Sequence, residues 1–447
     1  MSTPQPWASF QRWIGNTRFG RNAWKIARAQ AVAQALPLVA APLLTRLYGP
    51  EAFGALAVFV ALVSLLLAAA TGRWEWSVPS ARSSRTAAAA LCLGALVMGA
   101  VTALLVFVAL LAPDLLVQPW STAAGLVGAG SATPATLLAG LLILAVLGGG
   151  AHQLVQAWHV RQAELSLVGR AKMAQAFCNV FVSIAAAGLG AMGLVAATVV
   201  SGWVGIRMLW RRAPSLTRAL RRQSRRTLVL ALHRHGAEAG WSTVASVLNA
   251  ASLALLPLLL ARHYGAAEVG YYALMQRLAF APISLMATAL SQSFWAEAAR
   301  LVRTDPVALS RLWHQTSLRL CGVALPLSVA ALLGPLYVGP LFGAEQWAPA
   351  GWVLAASVPV LVGQLVVSPL SHLIVHGRQR SQAIWDAVRI AVLVLLVEGM
   401  GRAGSPFTLT VLAASTASAL LYLLLWCMNR RALAAAVAVP GAGRESR

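Results

Sequence analysis

Twelve long apolar runs, parted by short polar breaks, dominate this chain of 447 residues. They lie near 23–45, 51–71, 87–112, 136–157, 172–189, 191–210, 236–261, 268–295, 318–339, 348–374, 382–400 and 406–428. Most reach the roughly 20 residues a helix needs to cross the hydrocarbon of a bilayer. Lipid offers no water to an open strand edge, so such runs must form helices that satisfy their own backbone. Only 11% of the residues are charged and 59% are hydrophobic, whereas about a quarter of a soluble domain is charged. The expected fold is an all-α polytopic membrane protein with about 12 transmembrane helices. The thinnest boundary is Gly188-Leu189-Gly190, which alone divides the fifth run from the sixth.

A net charge of +23 would suit nucleic acid if the cations shared one surface, but they alternate along the chain. Of 35 basic residues, 30 fall in alternate breaks, nine of them between 207 and 234. The other breaks hold only Arg46, Arg262 and Arg402, leaving Arg277 and Arg389 inside runs. An excess of Lys and Arg marks the cytoplasmic side. Both termini are therefore expected in the cytoplasm, membrane lipids are expected partners, and nucleic acid is not. Met1–Phe19 lacks the apolar core of a cleavable signal, and Trp7, Phe10 and Trp13 suit an interfacial segment. Cys92, Cys178, Cys321 and Cys427 stand singly in apolar runs and read as small buried hydrophobes. Trp74, Trp76, Trp158, Trp210, Trp295, Trp313 and Trp426 at one set of run ends, with Trp120 and Trp347 at the other, suggest two aromatic belts.

The chain also repeats itself. Arg46-Leu47-Tyr48-Gly49 with Gly54 matches Arg262-His263-Tyr264-Gly265 with Gly270 at an offset of 216, and Arg161-Gln162 matches Arg378-Gln379 at 217. Six runs per half give both halves one orientation, a parallel repeat of the kind transporters rock against each other. The implied organisation is a cytoplasmic segment 1–21, an N-lobe 22–210, a basic linker 211–235, a C-lobe 236–429 and a tail 430–447. Arg218, Arg221, Arg222, Arg225 and Arg226 in the linker recur at helical spacing and would share one face. They would rest on anionic headgroups or gather an anionic lipid substrate.

No enzyme constellation stands out. There is no phosphate-binding G-x-x-x-x-G-K-[ST] loop and no His or Cys metal spacing, so no cofactor is expected. The longest outward break, 113–135, contains Asp114 but no His, Lys, Arg or Glu. Polar residues inside the runs are the better candidates, because each is costly in lipid. Arg277, Ser284, Thr288 and Ser291 would fall within a roughly 60° helical arc, with Pro282 between them to bend the helix. Glu238, Ser242, Asn249 and Ser252 form a stripe in run seven, Gln30 and Gln34 lie beyond Arg28 in run one, and run four carries His152, Gln153 and Gln156. The residues taken as substrate contacts are Arg277, Gln30, Gln34, Arg28, Asn249, Glu238, Ser284 and Thr288. For the serines and threonines, close helix packing is an equal reading. Arg277 would either pair with Glu238 or a carbonyl, or hold a phosphate bidentately. Asp386 and Arg389 suit an ion pair within one helix, His372 and His376 read as histidines at a helix end, and Glu398 as solvated.

The segment Arg46-Leu47-Tyr48-Gly49-Pro50-Glu51-Ala52-Phe53-Gly54 resembles the first hairpin of bacterial polysaccharide flippases, the O-antigen and exopolysaccharide exporters. Gly377-Arg378-Gln379-Arg380-Ser381-Gln382, followed by Trp385-Asp386-Ala387-Val388-Arg389, resembles their junction between spans ten and eleven, and Pro369-Leu370-Ser371 fits too. The resemblance implies the multidrug/oligosaccharidyl-lipid/polysaccharide exporter superfamily, with two pseudo-symmetric six-helix lobes around a central cavity. It implies an undecaprenyl-pyrophosphate-linked oligosaccharide as substrate, moved outward across the bacterial inner membrane, and a cationic cavity residue such as Arg277. The surface-polysaccharide polymerase and chain-length machinery are the protein partners it implies. A multidrug or organic-cation extruder on the same fold, and a membrane-embedded glycosyltransferase or polymerase, are the alternatives.

Overall fold

The computed structural model describes residues 32–81, 83–124, 135–221, 223–371, 373 and 379–438. Every described element is helical. The helices are α1 (Ala41–Leu47), α2 (Pro50–Ala70), α3 (Ser84–Leu111), α4 (Pro113–Ala124), α5 (Ala135–Arg161), α6 (Leu165–Ala185) and α7 (Ala191–Arg211). After them come α8 (Pro214–Arg221), α9 (Arg225–His263), α10 (Ala266–Met275), α11 (Ala281–Thr304), α12 (Pro306–Leu332) and α13 (Gly334–Phe342). The last are α14 (Ala348–Ala356), α15 (Val358–Val366), α16 (Gln379–Arg402) and α17 (Phe407–Ala438). Short turns join several of them. Among the described residues six helices are long and apolar enough to cross a membrane, and two further bent pairs bring the number to eight. The protein is thus an all-α polytopic membrane protein. The remaining expected spans also fall on helix, but α6 and α16 carry charges, span eight is broken at Gln276–Phe280, and span one is described only from residue 32.

Local sequence explains where these helices start and stop. Ser83 caps α3 reciprocally with Thr86, Oγ accepting from the Thr86 amide at 3.1 Å, which satisfies two first-turn donors. Asp305 caps α12 by accepting from the Ala308 amide at 2.9 Å, with Pro306 in the first turn where its missing N–H is harmless. The narrow break between runs five and six is real: Gly190 takes φ +55°, a left-handed conformation that suits glycine, and turns α6 into α7.

Contacts divide the chain into two compact units, one ending at Leu258 and one starting at Leu259, beside Pro257 inside α9. The repeated hairpins occupy matching places within them. Gly49 and Gly265 are the N-caps of α2 and α10, with φ/ψ of −71°/167° and −73°/170°. Gly54 and Gly270 are both buried. Each tyrosine fastens its hairpin to a later helix of its own unit. Tyr48 Oη donates to the Ser183 carbonyl of α6 at 2.5 Å. Tyr264 Oη reaches the Ser405 carbonyl at 3.1 Å and Thr410 Oγ1 at 2.5 Å, between α16 and α17. The first hairpin therefore fastens to the fifth apolar run of its half, and the second to the turn and helix that follow the fifth run of its half.

The Arg161-Gln162 pair is a hub of the first unit. Arg161 Nη1 donates to the carbonyls of Val78 at 3.2 Å and Ala81 at 2.5 Å. Trp158 Nε1 and Gln162 Nε2 both donate to Ser215 Oγ, at 3.2 and 2.8 Å, which docks α8. His159 bridges the Glu164 carboxylate at 2.7 Å and the Leu209 carbonyl at 3.0 Å.

Several expectations are corrected. The break at 113–135 is not all loop, since α4 occupies its first half and packs on α2, α3 and α5. The linker arginines do not lie on one continuous helix: Ser224 starts a new one, exchanging hydrogen bonds with Thr227, so α8 with Arg218 and Arg221 ends before α9 with Arg225 and Arg226 begins, and Arg222 lies outside the described residues. Trp74, Trp158, Trp313 and Trp347 are buried packing residues, not belt residues, and Trp313 stacks on Trp426 with centroids 5.3 Å apart. Cys321 and Cys427 are exposed, not buried. Glu398 is not solvated: its side chain is 15% exposed and faces Arg262, His263 and Arg402 at 3.2, 3.2 and 3.4 Å. Trp7, Phe10, Trp13, His372 and His376 lie outside the described residues.

Tyr48→Phe and Tyr264→Phe should each lower unfolding stability in detergent by about 1–2 kcal/mol, because each leaves a carbonyl without its donor. The two losses should add, since the residues share no partner. Unchanged thermal unfolding in both variants would show that the hairpins are held by packing alone.

Candidate functional site

Arg277 sits in the second unit on an irregular turn. Between α10 and α11 the chain winds for five residues, Gln276–Phe280, as a π-helix, and the Ala281 amide donates to the Gln276 carbonyl. Pro282 accounts for it: proline has no N–H and its ring collides with the carbonyl four residues back, so a regular α-turn cannot run through this point. Turns of this kind recur at functional sites inside helices. The wider turn also breaks the expected arc. It holds one extra residue, so Arg277 is displaced by up to about 100° from the face carrying Ser284 and Ser291. Arg277 is half-buried, with Nη1 shielded from solvent.

The other candidates scatter. Ser284 is exposed and its hydroxyl donates to the Ala281 carbonyl at 2.9 Å, an ordinary helix bond. Ser291 Oγ donates to the Pro369 carbonyl at 3.2 Å and so has a packing role. Nothing is described of the Thr288 side chain, and Arg28 and Gln30 lie outside the described residues. Gln34 is half-buried and Asn249 exposed. Glu238 is exposed and stands 3.6 Å from His235, so the partner it shows is a histidine on its own helix. Beside the π-turn lies an apolar cavity of about 180 Å³, lined by Leu278, Pro282 and Met286 against Ala324, Leu361 and Leu365. Its chemistry suits hydrocarbon, not charge.

Two polar clusters inside the units were not assembled from sequence. In the second unit, the segment from Ser371 to Arg389 builds a network at the start of α16. Ser371 Oγ donates to Gln382 Oε1 at 3.2 Å, Gln382 Nε2 to Asp386 Oδ2 at 3.4 Å, and Arg389 Nη2 stands 3.9 Å from Asp386 Oδ1. The Arg389 guanidinium also lies 5.1 Å from the centre of the Trp385 ring, and Trp385 Nε1 donates to the Leu421 carbonyl at 2.8 Å. The ion pair expected within this helix is present. In the first unit, His152 on α5 is buried beside Gln156, Lys172 and Gln175. Lys172, Gln175, Asn179 and Ser183 follow one another along α6 within a roughly 80° arc. Their spacing of three, four and four residues was legible in the sequence; the convergence with His152 was not.

These features define a class: a many-helix membrane protein with charged residues inside its helices. Among solved structures the fold resembles an inward-facing multidrug resistance MATE family transporter of the MOP superfamily, at TM-score 0.64 and 15% identity over 93% of this chain and 96% of that one. It also resembles the lipid II flippase MurJ in an inward closed conformation, at TM-score 0.67 and 13% identity over 92% and 89%. A mutant of the Vibrio cholerae MATE transporter VcmN gives TM-score 0.51 and 16% identity over 96% and 98%. No curated protein matches the sequence. The chain belongs to the polysaccharide biosynthesis protein family, whose model matches residues 43–351. That stretch includes both repeated hairpins, the π-turn and the His152 cluster.

If Pro282 causes the π-turn, Pro282→Ala should raise thermal stability in detergent by about 1–3 kcal/mol, the usual cost of proline within a helix. An unchanged melting temperature would mean that other contacts hold the turn.

Proposed function

We propose that this protein flips an undecaprenyl-pyrophosphate-linked oligosaccharide from the cytoplasmic to the outer leaflet of a bacterial inner membrane. Membership of the polysaccharide biosynthesis family over residues 43–351 carries this reading. The charge alternation supports two six-helix lobes with both termini in the cytoplasm. On this reading the lobes rock around a central cavity to give alternating access, without ATP. The product would pass to the polymerase and chain-length machinery of surface polysaccharide synthesis.

Arg277 is the residue assigned to the pyrophosphate, since a guanidinium meets phosphate oxygens bidentately. Moving each negative charge outward down an inside-negative potential releases about 2.3 kcal/mol per 100 mV, which supports transport in that direction. The fold is shared with multidrug transporters, so extrusion of organic cations is the rival reading. Cations call for acids within the spans. Glu75, just past the end of span two, is already engaged by the Thr71 hydroxyl at 2.6 Å and by Arg73 at 3.5 Å. That weighs against the rival.

In cells lacking the protein, lipid-linked oligosaccharide should accumulate in the inner leaflet. Loss of the lipid-linked glycan itself would point to synthesis, and drug sensitivity with normal glycan would point to extrusion. Arg277→Ala at normal membrane abundance should reduce glycan export from vesicles at least about tenfold, the scale of one charge-assisted contact. Unchanged export would remove the phosphate role from Arg277.

A further inference from the structure

The two halves carry one cation at equivalent positions and neutralise it differently. Lys172 follows Arg161 by 11 residues, and Arg389 follows Arg378 by the same 11. In α16 the charge of Arg389 is answered from its own helix, by Asp386 one turn earlier and by the face of Trp385. The residues that correspond to these two in α6 are Gly169 and Val168. Among the described residues, no acid pairs with Lys172. Glu75 is held by Thr71 and Arg73, Glu164 by His159, and Glu238 lies by His235.

Neutral donors surround Lys172 instead. Lys172 is three residues before Gln175 on α6, hence on the same face, and Gln175 approaches His152, which is 7% exposed with Gln156 one turn along α5. Gln175 Nε2 stands 3.5 Å from His152 Nδ1. With the amide nitrogen facing it, Nδ1 is placed to accept, which leaves Nε2 as the ring's N–H donor. Nε2 is buried and makes no hydrogen bond of good geometry among the described residues, although the Gln156 side chain lies by the ring. Buried polar atoms of this kind call for a missing partner. Glycine at position 205 on α7 lets the Gln175 amide pack here beside His152, since a Cβ there would collide with it. The cluster lies roughly 10 Å into α6 and roughly 14 Å back from the end of α5, at 1.5 Å per residue. By sequence it lies near the facing ends of runs four and five, and Lys172, Gln156 and Gln175 are only half-buried, so the cluster is open on one side.

We propose that Lys172, His152, Gln156 and Gln175 form an anion site within the first unit, separate from Arg277, that takes a phosphate group. Lysine supplies the charge, the imidazole and amides supply N–H donors, and no carboxylate is present to repel an oxyanion. The phosphate is either that of a lipid-linked substrate, which rests on the flippase reading, or a free inorganic anion, which does not.

The test uses full-length protein in lipid nanodiscs, in an Arg277→Ala background so that a site at Arg277 cannot contribute. Inorganic phosphate and geranyl pyrophosphate are titrated separately by calorimetry, with thermal unfolding as the check on folding. Adding Lys172→Met should weaken binding at least about tenfold, while Lys172→Arg should stay within about threefold of its parent. Gly169→Asp should also weaken it about tenfold, because it gives Lys172 the counter-ion that Arg389 already has. A loss confined to geranyl pyrophosphate assigns the site to a lipid-linked phosphate, and a loss shared by both probes supports an anion site open to free phosphate. A parent that binds neither probe, or a folded Lys172→Met protein that binds as its parent does, overturns the proposal. Glycan export by the Arg277→Ala protein is read independently, so either reading can fail alone.

Discussion

In a lipid surrounding, every buried polar group must find its partner inside the protein, and this constraint shapes each irregular feature of the chain. Regular helix satisfies the backbone without help. Wherever proline or a charge interrupts that regularity, something local compensates. Pro282 turns one stretch into a π-helix whose Ala281–Gln276 bond replaces the lost α-pattern. Before the 51° bend that precedes Pro359, Ser357 donates to the Val353 carbonyl at 2.7 Å, a back-bond that loosens a helix at such a point. Glu398 survives at a helix end because three basic side chains surround it.

The same constraint makes sense of the duplicated hairpins. A turn at the end of a span leaves carbonyls without donors, and a tyrosine hydroxyl can reach across to supply one. Tyr48 and Tyr264 both do this, each to the carbonyl of a serine in or just after the fifth apolar run of its half. The matching glycines give the next helix the same extended N-cap. Arginine at the start of the motif differs in use: Arg46 is exposed, while Arg262 is drawn into the Glu398 cluster at 3.2 Å. The architecture is shared between the halves, and the charges around it have diverged.

How much of this was legible in the sequence depends on the range of the interaction. Hydropathy acts over whole spans, so the helices were readable, including the narrow turn at Gly190. Side-chain roles set by tertiary contact were not. Trp158 reads as an interfacial tryptophan by position, yet its partner is Ser215, 57 residues later. The stripe from Arg277 to Ser291 assumed one helical period throughout, and a single proline was enough to alter that period. Lys172 sits at the edge of an apolar run and reads there as one more topology-setting cation. Only the fold brings His152 and Gln175 to it.

The choice of lysine in one half and arginine in the other follows from whether the counter-charge is permanent. Removing an ion from water costs several kcal/mol even after relaxation, and a fixed partner at good geometry recovers part of it. Arg389 has such a partner in Asp386 and keeps its charge at all times, which suits a structural ion pair. A cation whose counter-ion comes and goes faces the full cost whenever the site is empty. Lysine differs from arginine here, because its ammonium is a compact charge with three rotatable donors that can turn to whichever acceptor arrives, whereas a guanidinium is a rigid fork. The absence of an acid at Gly169 and the use of lysine at position 172 are therefore two parts of one arrangement. On that reading an arriving phosphate supplies both the counter-charge for Lys172 and an acceptor for His152 Nε2.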